Sequence, residues 1–249
     1  MRTRSPGDVV GEIKETIAGQ RERFFYFYDD CFTFNRKWLM EFCDYLIKDK
    51  VRINWDCISS ANLVDEKVFE KIKKAGCVKI NIAVESGSQR VLDLVNKRLD
   101  FEVVKRIFSI ARKYRISTAA YMMIGFPTET EADIRLTQKI IREIYPNWVY
   151  CSVFLPLPGT VCYQKCVEYG LVDPAVFWRD SIENIAINYT GTMGDMEFFE
   201  LVNETFRLCY KINTAIFNIA RRAPFVSYLK NPPSFLVDTK RIMQYLRKR

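Results

Sequence analysis

Five short groups of residues in this chain have the types needed to hold a small polar ligand, and each directly follows a short apolar run. They are Asp29-Asp30-Cys31-Phe32-Thr33, Ser59-Ser60-Ala61-Asn62, Glu85-Ser86-Gly87-Ser88, Gly125-Phe126-Pro127-Thr128-Glu129-Thr130 and Leu155-Pro156-Leu157-Pro158-Gly159-Thr160. Carboxylates at such places accept hydrogen bonds from an ammonium or from ribose hydroxyls, while glycine and proline let the backbone approach a flat ring and hold its shape. A nucleoside-like ligand fits that set. Each group alone has a plainer account: Asp29 and Asp30 can cap the next helix, Ser88 can be an N-cap, and Gly-Phe-Pro can be a turn.

What is missing narrows the chemistry as much as what is present. The chain has no histidine, which removes Ser-His-Asp and Cys-His nucleophiles, histidine general bases and histidine metal sites together. Neither a Gly-x-Gly-x-x-Gly nor a Gly-x-x-x-x-Gly-Lys-Ser/Thr run occurs, so the two standard phosphate-cradling loops are absent. The eight cysteines are scattered through apolar runs and read as reduced thiols rather than a disulfide framework. Cys162 and Cys166 lie one helical turn apart, with no third cysteine following, and a helical pair offers a cluster at most two ligands. Burial as small apolar side chains is the expectation for both, and no metal ligand is assigned.

The elements that position the five groups alternate regularly. The apolar runs at 24–28, 51–57, 78–84, 117–124 and 148–154 mostly lack strict alternation, as expected of strands buried on both faces of a parallel sheet. Between them apolar residues recur at three and four: Trp38, Leu39, Phe42, Leu46; Val68, Phe69, Ile72; Val91, Leu92, Val95; Val104, Ile107, Phe108, Ala111. A further helix is expected over 129–145, burying Ile134, Ile140, Ile141 and Ile144, with Thr128 and Glu131 as its capping box. Strand-helix repeats joined right-handedly give a doubly wound sheet or a closed or partial barrel, and both place ligands at the C-terminal strand ends.

The net charge is +8, and residues 221–249 hold eight basic side chains against one acid. Nucleic acid, anionic lipid or an acidic partner would suit such a tail, but a solvated tail is the favoured account on composition, and it assigns no ligand. No run approaches the eighteen or so uncharged apolar residues of a membrane span, and the start carries no apolar signal core, so a cytoplasmic protein is expected.

In order along the chain, DDxFTxN, IxW, NLVDE, AGC, ESGSQRVLDLV, MIGFPTET and PLPGT resemble the barrel of radical S-adenosylmethionine (SAM) enzymes, in particular the MiaB-like branch often attached to cobalamin-binding domains. The resemblance covers residues 1–170. It implies an α/β fold, a partial six-unit TIM-like barrel lacking its first strand, followed over 171–249 by a mostly helical appendix with the basic tail. It also implies SAM as a ligand beside a four-iron four-sulfur cluster that cleaves it reductively, and leaves open whether the full-length form uses cobalamin. Asp29 and Asp30 would meet the SAM amino group, Glu85 with Ser86 would reach the ribose, Gly125, Phe126 and Pro127 would border the adenine, and Pro156, Pro158 and Gly159 would shape the last strand end.

Two departures qualify that resemblance. Ser60 stands where relatives often carry an arginine, which removes a cation able to grip the SAM carboxylate. The family's Cys-x-x-x-Cys-x-x-Cys cluster motif is absent, and the chain resembles the family only from just downstream of it. The strand at 24–28 would then be an uncovered edge, so an upstream domain or a second chain is expected to supply the first strand and the cluster loop. The chain alone is expected to be inactive. The alternatives are a SAM-binding or protein-interaction module without catalysis and, on the tail's charge alone, a nucleic-acid binder. The substrate is not legible.

Overall fold

The computed structural model describes residues 3–20, 23–174 and 187–215. In chain order these form α1 (Pro6–Gln20), β1 (Phe24–Phe27), α2 (Arg36–Lys48), β2 (Asn54–Ser59), a short 3-10 turn (Ala61–Leu63), α3 (Glu66–Lys74), β3 (Cys77–Glu85), α4 (Gln89–Leu94), α5 (Phe101–Lys113), β4 (Ser117–Ile124), α6 (Glu131–Ile144), β5 (Trp148–Val153), α7 (Val161–Glu168) and α8 (Asp195–Thr214). The five strands are parallel, run in the order β1-β2-β3-β4-β5 and make a half-barrel, an α/β partial TIM-like fold with a helical C-terminal part. The basic tail at 221–249 lies outside the described residues. Among the described residues no helix is long and apolar enough to cross a membrane.

One expected element moves and one unexpected element appears. β2 begins at Asn54, because Val51 is spent closing α2: its N–H donates to Leu46 O at 2.9 Å, just after Lys50 with φ +52°. The helix α1 had no counterpart in the periodic pattern, since Gly7, Gly11 and Gly19 weaken its propensity and its buried side chains reduce to Pro6, Val10 and Ile13.

The chain forms two compact units. One comprises Met1–Val84, Leu99–Tyr121 and Ile140–Pro146; the other Glu85–Arg98, Met122–Lys139 and Asn147–Arg249. In the first, strand alternation sorts the side chains. Phe27 and Trp55 meet Phe32 and Phe42, with ring centroids 4.3–5.8 Å apart and mostly edge-on, and Trp55 Nε1 donates to Ala75 O at 2.9 Å. Val68, Phe69 and Ile72 of α3 and Val104, Ile107, Phe108 and Ala111 of α5 are buried at the spacing their sequence predicts. One position along each strand the character changes: Tyr26, Asp56 and Lys79 stand in register, Lys79 Nζ is 3.7 Å from Asp56 Oδ2, and both members of that pair are buried.

Asn35, not Asp29 or Asp30, caps α2, its side chain accepting from Trp38 N at 3.1 Å. Asn35→Ala is expected to cost about 1 kcal/mol, read as a small fall in the thermal midpoint with no change in ligand binding.

In the second unit α8 buries Phe198, Leu201, Val202, Thr205, Cys209 and Ile212. Its last turn reaches β5 through Asn213, whose Oδ1 accepts from Val149 N at 2.8 Å while its Nδ2 donates to Val149 O at 2.9 Å. Of the mostly helical part expected over 171–249, α8 ends at Thr214, and residues 175–186 and 216–249 lie outside the described ones.

Candidate functional site

In the first unit the chain leaves β1 with Asp29 and Asp30 exposed to solvent. It turns inward at once: Phe32 N donates to Ile58 O at 3.0 Å, and the buried Thr33 hydroxyl lies 2.6 Å from Ser59 Oγ. Cys31 is half-buried, 3.8 Å from Thr33 Oγ1. Ser60 is half-buried ahead of the 3-10 turn and makes no side-chain cap bond.

The second unit holds the other expected residues. Glu85 ends β3 with φ +68°, a left-handed backbone that turns the chain sharply. Its Oε1 accepts from Lys97 Nζ at 2.9 Å, and both side chains keep about a quarter of their surface. Lys97 is brought back by the turn that ends α4, where Asn96 has φ +53° and Lys97 N donates to Leu92 O at 2.8 Å.

Ser86 is fully buried; its Oγ lies 3.2 Å from Thr137 Oγ1 and accepts from Ser88 N at 3.1 Å. Gly87 N donates to the same Thr137 hydroxyl at 2.8 Å. Ser88 caps α4 and donates its hydroxyl to Asp133 Oδ1 at 2.5 Å.

The loop after β4 is organised by carboxylates. Glu129 Oε2 accepts from the N–H groups of Gly125 and Phe126, the latter at 3.1 Å, and its Oε1 is buried without a hydrogen-bond partner. Burial pushes the Glu129 pKa up to about 7, against the pull of those two N–H groups. Gly125 has φ +92°, and a Cβ there would lie 2.9 Å from the Phe198 ring. Phe126 and Pro127 are buried; the Phe126 ring packs 5.1 Å from that of Phe154, so the loop offers a ligand its backbone rather than that ring.

The capping box of α6 is Thr130 with Asp133 rather than Thr128 with Glu131. Thr130 N donates to Asp133 Oδ2 at 2.9 Å, Asp133 N to Thr130 Oγ1 at 3.4 Å, and Thr128 instead takes a left-handed φ of +67°. Asp133 also accepts from Arg90, which donates to Thr128 O at 2.7 Å. Burial works to raise the Asp133 pKa, but bonds from Arg90, Ser88 and Thr130 outweigh it and hold the carboxyl well below the usual range.

After β5, Pro156 is buried whereas Pro158 and Gly159 are exposed, and Thr160 caps α7 by accepting from Tyr163 N at 3.2 Å. Lys97, Arg90, Asp133 and Thr137 escaped the sequence reading. Their signal was weak, since Arg90 and Asp133 are 43 positions apart.

A cluster would need three thiolates together, and the described residues do not fit one. No group of three or more Cys, His, Asp or Glu gathers among them. Burial pushes the Cys43 thiol up to about 12 and Cys166 up to about 11, and Cys166 packs among Val91, Phe126, Phe154, Val172 and Tyr189.

The model of the radical SAM superfamily matches residues 1–141. An anaerobic magnesium-protoporphyrin IX monomethyl ester cyclase from Rubrivivax gelatinosus is 30% identical over 166 residues, 66% of this chain and 30% of that protein. An uncharacterized methyltransferase from Pyrococcus horikoshii is 26% identical over 146 residues, 59% of this chain and 32% of that protein. The chain thus spans about 30% of the length of the curated relatives it matches.

Among solved structures, the radical SAM methyltransferase TsrM from Kitasatospora setae, with tryptophan and a SAM analogue bound, superposes with a TM-score of 0.61 at 18% identity, over 67% of this chain and 33% of that one. Coproporphyrinogen III oxidase from Escherichia coli, a radical SAM enzyme, superposes at 0.58 and 14%, over 85% of this chain and 48% of that one. These two likenesses concern the fold.

Proposed function

The chain belongs to the radical SAM superfamily, and from that premise we propose that its strand ends bind SAM as part of an enzyme that uses the cofactor for radical chemistry such as methylation or another carbon modification. The observation that carries this reading is the Glu85–Lys97 pair in the same compact unit as the loop at 125–127. Glu85 offers acceptor capacity to ribose hydroxyls. Lys97 has three ammonium donors and spends one on Glu85. A spare donor there would meet the SAM carboxylate, the task left open by Ser60.

Gly125, Phe126 and Pro127 border the adenine through their backbone, and Pro156, Pro158 and Gly159 shape the neighbouring strand end. Reductive cleavage is the chemistry of a cluster whose ligands the described residues do not supply.

Isothermal titration under anaerobic conditions tests the reading. SAM binding is expected, with Lys97→Ala lowering affinity by about tenfold or more, since a hydrogen bond to a charged group is worth roughly 1.5–3 kcal/mol. The same variant is expected to bind 5′-methylthioadenosine, which lacks the carboxylate, almost as the wild type does. Absence of SAM binding would overturn the proposal.

A further inference from the structure

The residues after β3 and those after β4 are held together by one set of side chains, and α6 carries most of it. Asp133, on its first turn, takes the Ser88 hydroxyl with one carboxylate oxygen and, with the other, Arg90 and both the N–H and the hydroxyl of Thr130. Arg90 continues across to the Thr128 carbonyl at 2.7 Å and the Thr128 hydroxyl at 3.1 Å. One turn further along α6, Thr137 Oγ1 takes the Gly87 N–H at 2.8 Å. All these groups belong to one compact unit.

We infer that Arg90 and Asp133 are positioning residues for nucleoside binding, which lock the strand end carrying Glu85 to the loop of Gly125, Phe126 and Pro127. This rests on the proposed SAM reading and deepens it. A ribose acceptor on one strand end and a ring-bordering backbone on the next serve one ligand only if their separation is held to about 0.5 Å. Glu85 lies three residues before Ser88, and Thr128 directly follows Pro127, so the Arg90–Asp133 bridge spans the two segments whose spacing matters.

Arginine suits this task because its planar fork donates in two directions at once, to a carboxylate and to a carbonyl; lysine offers a point charge. The hydrogen bonds of the bridge go to Ser88, Thr128 and Thr130, not to Glu85 or to the loop backbone at 125–127. It therefore acts through geometry, not through ligand contact.

Arg90 is half-exposed, so Arg90→Lys is expected to fold, and it decides the matter if Asp133→Asn does not. The experiment is equilibrium binding of 5′-methylthioadenosine and of SAM to the full chain, as wild type, Arg90→Lys, Asp133→Asn and Arg135→Ala, with thermal unfolding of each in parallel. Arg135 lies on the same helix and makes exposed ion pairs with Glu131 and Glu204 and a 3.3 Å bond to Gln138 Oε1, none of them to the bridge, which makes it the control for nonspecific loosening.

Arg90→Lys and Asp133→Asn are expected to lower affinity for both ligands by the same factor, about tenfold, because both share the nucleoside. Arg135→Ala is expected to bind both as the wild type does. A folded Arg90→Lys with wild-type affinity for 5′-methylthioadenosine overturns the positioning role while leaving SAM binding intact. A wild type that binds neither ligand overturns the SAM reading and this inference with it.

Discussion

Glu129→Gln is expected to flatten a pH dependence of stability that the wild-type protein displays between about pH 5 and 8. Glu129 is fully buried, with a carboxyl pKa raised by burial from 4.5 to about 7. Between those values the folded protein holds a proton that the unfolded chain has released, so the stabilisation is complete below pH 4.5 and is lost as pH rises through 7. The loss amounts to roughly 3 kcal/mol.

Little else titrates in that window. The chain has no histidine; burial moves Cys43, Cys57, Cys77 and Cys166 upward, and a hydrogen bond with Cys209, then burial, does the same to Cys151, all away from neutrality. Asp65, Glu66, Glu70, Asp133 and Glu204 have lowered pKa values, so their contributions are present above their unfolded values of 3.8 or 4.5 and are lost only as pH falls further.

Glutamine keeps an oxygen for the Gly125 and Phe126 N–H groups and carries no charge at any of these pH values. Denaturant unfolding at half-unit pH steps checks this: the wild type is expected to weaken toward pH 8 and the variant to stay level. An unchanged slope in Glu129→Gln would mean that another group sets it.

Gly87→Ala is expected to be far more damaging than the size of one methyl group suggests, with a loss of roughly 3 kcal/mol or more and a correspondingly poor yield of folded protein. A Cβ at Gly87 would lie 2.3 Å from Leu136 O and 2.7 Å from Thr137 Cα. Both obstacles are helix backbone, so no rotamer change relieves them. Gly159 is the matched comparison. It has φ +87° but open space around it, and alanine there meets only the backbone preference, about 1–2 kcal/mol. Thermal midpoints of the two variants should therefore separate widely, and equal midpoints would show that α6 moves aside at little cost.

The same contrast between local and distant interactions explains what the sequence disclosed. β4 and β5 were legible almost to the residue, because uninterrupted runs such as Ser117 to Ile124 leave a strand few alternatives. The order of strands and helices then placed every expected site residue at or just after a strand end, which needs no knowledge of side-chain contacts. β2 was displaced because Val51 and Ile53 look like strand residues, yet Val51 belongs to the turn that closes α2. The helix start after β4 was misjudged by two residues: Thr128 and Thr130 both precede an acid at the right spacing, and only the left-handed backbone at Thr128 distinguishes them. Arg90, Asp133 and Thr137 were illegible for a different reason. Each is an ordinary polar residue on a helix, and its significance comes from partners 38 to 50 positions away.

Among the described residues the parallel sheet has five strands, and a last strand of such a sheet is a template on which a stray strand can grow. At β5 the side-chain amide of Asn213 already occupies both main-chain groups of Val149, imitating one residue of a neighbouring strand. An incoming chain would have to evict that amide and pull the last turn of α8 away before it could pair there. A single asparagine thus ties up one residue's worth of this edge.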